Sequence, residues 1–401
     1  MVSRSDVLVL MPTLGAAVFA DGTIGLTAKF VDGVDEYIKY WNGRVRVLME
    51  PSKETSVNLD NVRLKPASLS FELKIVDFMS DELAEHLRDA AIVHCSASHR
   101  QNHIADLCNS IGVASVYGTE YSLRTRMQII GSEASPMTAK LRRSAWAIRQ
   151  ELRQRRAIGR ATGVQCNGTP TFDAYARLSR NPHLYFDTRT RAVDLIAPDR
   201  LEARLAELGR AKKLRLVFSG RLDRMKGTNA LPAIAEALRK QGVDFELSIC
   251  GDGELAQSMA ADIERLSLGQ HVSMKGVLDF RSELVPFVKE HVDVFVCTHV
   301  QGDPSCTYLE TFACGVPIVG YANEAFAGLL KRVQGGWPVA VNDAEGMAQK
   351  LAELSRQRET IAKASHNALQ FAALHSFEAT FEGRVKHFRE CQYSLNARMT
   401  A

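Results

Sequence analysis

Five short apolar runs in the second half of the chain, over 214–219, 245–250, 271–276, 292–297 and 317–321, alternate with stretches whose apolar residues recur at helical spacing. Runs this short, bounded by glycine and polar residues, read as strands buried on both faces. The first half repeats the pattern less cleanly, with strands expected over 7–11, 44–48, 70–76, 91–95 and 113–117 and helices over 26–38, 81–90 and 99–111. Residues 163–168 read as a strand and turn that close this half. Strands alternating with helices pair in parallel through right-handed crossovers, so the expected fold class is α/β with two doubly wound sheets.

A chain of 401 residues is long enough for two domains with separate cores. We place them at 1–190 and 214–372, joined by a polar, weakly patterned linker at 191–213. From about 343 on the pattern is helical. A last helix over 373–401, with Phe377, Phe381, Val385 and Phe388 in one stripe, is expected to return to the first domain.

The eight cysteines form no CxxC pair, and Cys95, Cys250 and Cys297 end apolar runs. Buried free thiols in a reducing compartment are the expectation, with no zinc site. Residues 1–6 lead straight into a strand and no run of about 18 apolar residues occurs, so neither an export signal nor a membrane span is expected. The expected location is cytoplasmic. The net charge of +4 is unevenly spread: between 121 and 160 stand ten Lys/Arg against two Glu.

In doubly wound sheets ligands bind beyond the carboxyl ends of the strands. That rule collects Gly15, His94, His99, Arg221, Gly251, Gly253 and residues 302–310 around one expected interdomain crevice. The clearest stretch follows the strand at 214–219. Gly220 ends it, Arg221 and Lys226 stand in the turn, and Gly227 opens a helical pattern with Leu231, Ile234 and Leu238. A basic turn at a helix start is an anion site or, in its plainest reading, a solvated surface turn. Gly251 and Gly253 flank Asp252 after the next strand and let a ligand approach the backbone, or make an ordinary tight turn. Farther on, Pro304 breaks the chain and Ser305 is the expected N-cap of a helix from Thr307. The amides of Thr307, Tyr308 and Leu309 would face an anion, and Glu310 would accept hydrogen bonds from a ribose diol.

The order Gly220-Arg-Leu with Lys226-Gly227, then Gly251-Asp-Gly-Glu254, then Val272-Ser-Met-Lys-Gly-Val277, then Tyr308-Leu-Glu-Thr-Phe-Ala-Cys-Gly-Val-Pro-Ile-Val319 resembles the retaining glycosyltransferases of family 4. These are two-domain enzymes of the GT-B fold, built from two Rossmann-like domains. The resemblance covers the second domain well and the first loosely. It implies a nucleotide-sugar donor, UDP- or GDP-linked, with no further cofactor and no metal. Arg221 and Lys226 would hold the diphosphate, Glu310 the ribose, and the backbone near Val277 the base, with transfer retaining the anomeric configuration.

Two departures stand out. Eight positions before Glu310, where the family carries an acid that touches the donor sugar, this chain has Gly302, and Asp303 is one place off. Where relatives show two histidines one residue apart, His94 is followed by Cys95 and Ser96, leaving His99 or His103 to reach the same hydroxyl. Glu120, at a strand end, is a candidate acceptor or sugar contact. The basic stretch, with Lys140, Arg142, Arg143, Arg149, Arg153, Arg155 and Arg156 among Leu141, Trp146, Ile148 and Leu152, reads as a solvated face, a nucleic-acid arm or an anionic-lipid surface. No nucleic-acid motif accompanies it, so a membrane surface fits best, beside a lipid-linked saccharide acceptor.

The function expected is sugar transfer in polysaccharide or glycolipid synthesis. A non-catalytic nucleotide-sugar-binding partner of another transferase is the competing expectation, motivated by Gly302. An NAD-dependent dehydrogenase is excluded, because neither half has GxGxxG after its first strand with an acid about 20 residues on. A two-lobed solute-binding protein is disfavoured for want of an export signal. The oligomeric state stays open.

Overall fold

The computed structural model describes residues 6–53, 61–133 and 135–400. Two compact units emerge. The first comprises the described residues of Met1–Leu123, Pro136–Tyr185 and Glu378–Ala401, the second Arg124–Ser135 and Phe186–Phe377.

The first unit holds a seven-stranded sheet in the spatial order Pro182–Tyr185, Gly163–Asn167, Ala114–Thr119, Ala90–Ser96, Val7–Met11, Val45–Met49 and Glu72–Ile75. Every pairing is parallel, with Leu10 opposite His94 on one side and Val47 on the other. Val7–Met11 is buried at all five positions because both sheet faces are covered, which is why it carries no alternation. A small four-stranded sheet, Pro51–Ser52, Ala16–Val18, Ile24–Thr27 and Asn61–Leu64, draws its two middle strands from the segment between Val7–Met11 and the first helix, where no strand was expected. Its strands are too short for the period-2 pattern to register. Strand Pro182–Tyr185 also escaped the sequence reading.

The second unit has a six-stranded parallel sheet, Val272–Gly276, Phe245–Cys250, Leu214–Ser219, Val294–Cys297, Ile318–Tyr321 and Gly336–Val339. The five expected strands are there, and Gly336–Val339 adds an edge. Leu216, Phe218, Leu231, Ile234, Leu238 and Phe245 meet in its core. Burying one such side chain is worth about 1.5–3 kcal/mol.

Three features differ from expectation. Residues 191–213, read as a linker, contain helix Pro198–Arg210. Its polar sequence conceals Leu201 and Leu208, which are buried, and Arg204, which is 4% exposed and donates to the carbonyls of Lys289, Cys314 and Gly315. Burial pulls the Arg204 guanidinium down to about 10. The helix Leu123–Ser132, placed by sequence in the first domain, belongs to the second unit. The helix expected over 81–90 shrinks to Leu83–Leu87, and that over 99–111 to Ile104–Ser110.

The C-terminal helix Phe377–Thr400 joins the first unit from Glu378 onward. Phe381 lies edge-on to Tyr37 at 4.7 Å, and the Arg384 guanidinium covers the Tyr185 ring at 4.3 Å while its Nε donates to Gln165.

Candidate functional site

The second unit gathers the basic turn, the glycine turn and the 302–310 segment beyond the carboxyl ends of its strands. Strand Leu214–Ser219 ends, and the Gly220 amide donates to the Cys250 carbonyl, 3.0 Å. The turn is then shaped by Asp223, which sequence reading passed over. Its carboxylate accepts the Lys226 amide at 2.8 Å, and its carbonyl accepts the Thr228 hydroxyl at 3.2 Å. Gly227 has φ 62°, and a Cβ there would run into the Thr298 carbonyl oxygen. Only glycine therefore brings the turn this close to the strand Val294–Cys297. The α-helix itself starts later than expected, at Leu231, after a 3-10 turn over Thr228–Ala230. Gly251 and Gly253 lie where a Cβ would strike the Gly220 and Leu222 carbonyls, so this turn packs directly on the basic one.

The two cations differ in setting. The Lys226 side chain is 15% exposed and its Nζ lies 3.2 Å from Asp303 Oδ2. Thr298 Oγ1 donates to the Lys226 carbonyl and fixes the backbone beneath. Arg221 is open to solvent, with Asp223 3.6 Å away. Asp303, one place from the family position, thus stands against Lys226, and its Oδ1 is buried without a partner among the described residues.

Helix Thr307–Ala313 begins where the sequence places it, but its cap does not. Cys306 holds the N-cap position, and the Ser305 hydroxyl turns to Thr307 Oγ1 instead, 3.1 Å. The Tyr308 amide donates to the Ser305 carbonyl, so it is already used, while the Tyr308 ring is buried against Phe326. Glu310 lines a small recess with Phe280, Arg281 and Thr190. Its carboxylate accepts from Arg189 at 3.0 Å, and the same guanidinium covers the Phe280 ring at 4.7 Å. Val277 is exposed beyond the strand Val272–Gly276.

His299, two residues past strand Val294–Cys297, carried no sequence signal. It is 1% exposed, and neither ring nitrogen has a partner among the described residues. Burial, with the Lys226 charge adding to it, pushes the imidazole well below its usual range, so it is neutral. Asn323 ties this region together, donating to the His299 carbonyl and to the Tyr308 hydroxyl.

In the first unit the expected residues serve several ends. Gly15 packs on Ser52, whose Cβ would lie 2.8 Å from a Cβ at 15, so the small sheet requires glycine there. His94 is committed to the C-terminal helix, its ring 5.3 Å from Phe388 and its Nε2 3.4 Å from Arg384. Burial drives its pKa well down. His103 is half-buried before helix Ile104–Ser110, and burial lowers it too. His99 is exposed, edge-on to Trp146 at 5.5 Å. Glu120 accepts from Asn167 at 2.8 Å at the carboxyl edge of the sheet.

The basic helix Met137–Arg160 buries a mixed face, with Ala147, Ala157 and Ile158 beside Gln150, Glu151 and Gln154. On its outer face Met137, Leu141, Ile148 and Leu152 are 48–70% exposed. Lys140, Arg142, Arg143, Arg149, Arg153 and Arg156 share the helix with that stripe. Arg155 reaches back to Glu151 and the Ala174 carbonyl. Among the described residues no helix is long and apolar enough to cross a membrane.

Residues 200–371 match the family model described as glycosyl transferases group 1. The Escherichia coli (strain K12) protein WcaL, whose name places it as a putative glycosyltransferase of colanic acid biosynthesis, is 29% identical over 152 residues. That match covers 36% of this chain and 37% of WcaL, so the chain spans little more than a third of that relative. The 2-deoxystreptamine glucosyltransferase of Streptomyces kanamyceticus is 29% identical over 178 residues, 42% of this chain and 44% of its own. Among solved structures, Anabaena Alr3699/HepE in complex with UDP superposes with a TM-score of 0.65 over 96% of this chain and 99% of that one, at 14% identity. WaaG, a glycosyltransferase involved in lipopolysaccharide biosynthesis, gives 0.54 over 94% and 98%, at 12% identity. The fold class is therefore that of the GT-B glycosyltransferases, and the chain resembles their family 4 through its second half.

Proposed function

We propose that the protein is a retaining glycosyltransferase that moves a sugar from a UDP- or GDP-linked donor to a lipid-linked saccharide in polysaccharide or glycolipid synthesis. The observation that carries this reading is the half-sequestered Lys226, seated against Asp303 at the carboxyl edge of a doubly wound sheet. A cation held there by backbone and carboxylate is ready to meet a diphosphate. Glu310, in its recess beside Phe280, suits a ribose diol, and the exposed residue Val277 stands where a base edge could meet the chain.

In the reaction the bond between the anomeric carbon and the donor phosphate oxygen breaks. Negative charge collects on the leaving diphosphate, where Lys226 and Arg221 stabilise it more than they stabilise the bound donor. The acceptor hydroxyl forms the new bond on the same face and passes its proton to the departing phosphate oxygen. No protein base and no metal enters this scheme. The helix Met137–Arg160, basic and with an exposed apolar stripe, fits a peripheral seat on an anionic, cytoplasmic membrane face, with Leu141, Ile148 and Leu152 entering the interface.

A thermal-shift screen against UDP-, GDP- and ADP-sugars, followed by donor hydrolysis and transfer assays, tests the reading. At a hundred times Kd a native-state ligand adds about 2.7 kcal/mol. One donor should raise the midpoint by several degrees and be turned over. No shift with any donor refutes the assignment, and a shift without turnover across donors and lipid acceptors favours the non-catalytic partner.

A further inference from the structure

Residue 302 has no side chain, and the carboxylate of Glu324 stands where one would be. A Cβ placed on Gly302 would lie 3.1 Å from Glu324 Cβ and 3.1 Å from Glu324 Oε2, inside ordinary van der Waals contact. The loop is gripped by helix Leu123–Ser132. Gln128 accepts the Gly302 amide at 3.0 Å, the Thr125 hydroxyl donates to the Gly302 carbonyl at 3.2 Å, and Gln301 reaches Ser132 at 3.3 Å. Glu324 is equally fixed at its base. Asn323 before it is buried, caps helix Glu324–Leu330 through the Phe326 amide, and is tied to His299 and Tyr308. Space and charge at this point admit one carboxylate, since two so close would repel.

That carboxylate is half committed. Glu324 Oε1 pairs with Arg124 at 2.7 Å, and Oε2 has no hydrogen-bond partner among the described residues. The side chain keeps 27% of its surface exposed. The next residue along the loop, Asp303, is the one that meets Lys226. The open oxygen lies beside Gly302, the residue before Asp303, and a carboxylate oxygen there repels phosphate and accepts from a hydroxyl.

We propose that Glu324 reads a hydroxyl of the transferred sugar, with Arg124 as its positioning residue. This rests on the glycosyltransferase reading above. The carboxylate reaches the place of residue 302 from across the fold, and Gly302 is what leaves room for it.

The test compares binding of free UDP and GDP with turnover of UDP-glucose, UDP-N-acetylglucosamine and GDP-mannose. Glu324→Gln keeps the size and removes the charge. It should leave nucleotide affinity within twofold while kcat/KM for the working donor falls at least tenfold. The exchange G302E/E324G returns a carboxylate to the same place and should recover at least tenfold over Glu324→Gly. Arg124→Ala should lower kcat/KM less than Glu324→Gln does. Wild-type turnover by Glu324→Gln overturns the proposal, as does an equal loss of nucleotide and donor binding. A wild-type protein that neither binds nor turns over any nucleotide sugar overturns the underlying function instead, and this proposal with it.

Discussion

Replacing Lys226 by methionine separates its structural contact with Asp303 from the leaving-group role proposed for it. Its side chain is 15% exposed and that of Asp303 22%, so the pair is shielded without being dry. Removing the cation strands Oδ2 of Asp303 beside an Oδ1 that already lacks a partner among the described residues. Breaking a wholly buried pair costs about 3–5 kcal/mol. With both groups still reaching water, the cost should be nearer the 1–3 kcal/mol of an unsatisfied polar group. Guanidinium unfolding would read this as a lower midpoint at unchanged slope. The effect on catalysis should be larger, since losing one preorganised donor to developing charge costs about 10²–10³-fold in kcat. Adding Asp303→Asn then discriminates. In K226M/D303N the stranded charge is gone, so stability should return toward the wild-type value while turnover stays low. If Lys226→Met turns over donor within threefold of wild type, or raises KM alone, the leaving-group role is refuted.

Other consequences follow from burial and charge. His94, His299, His375 and His387 are all lowered by burial, His375 to about 4. The unfolded chain therefore binds protons that the native one does not, so stability is complete above about pH 6.5 and falls as pH drops toward 4, by up to about 1.4 kcal/mol per pH unit for each histidine. Urea midpoints that stay flat between pH 7 and 5 would refute it. Cys108, Cys297, Cys314 and Cys391 are pushed up to about 12 by burial, and Cys306 alone among the eight is partly exposed. A thiol reagent at pH 8 should titrate one cysteine quickly and the rest only on unfolding; several fast thiols would contradict the packing. Flotation with phosphatidylserine vesicles should recover the protein. Neutralising Arg142, Arg149 and Arg153 together should weaken binding by about 3 kcal/mol, near a hundredfold. Equal binding to neutral vesicles, or none at all, would sink the membrane seat.

The strands over 214–219, 245–250 and 317–321, the glycine-bearing basic turn and the helix at Thr307 were legible because each depends on neighbours in sequence: a continuous apolar run, a residue able to take positive φ, a proline that breaks the chain. What was misread depends on partners elsewhere. Helix Pro198–Arg210 looks like a linker until Arg204 finds three carbonyls from residues 289 to 315. Ser305 looks like a cap until its hydroxyl turns to Thr307. The apolar residues of Met137–Arg160 would all be assigned to a core, yet the structure takes in Ala157 and Ile158 with two glutamines and leaves Leu141 and Leu152 outside.

By itself, then, the sequence determined two doubly wound α/β halves and the residues that could meet a diphosphate, since apolar periodicity and glycine at forced dihedral angles are local properties. Tertiary structure alone decided which charges meet. Asp303 against Lys226, Arg189 over Phe280 and on Glu310, and Glu324 in the space left by Gly302 join positions that lie 22 to 121 residues apart in the chain. No pattern in a linear chain encodes such distances, because side-chain reach is set by where the sheet's crossovers return each strand end.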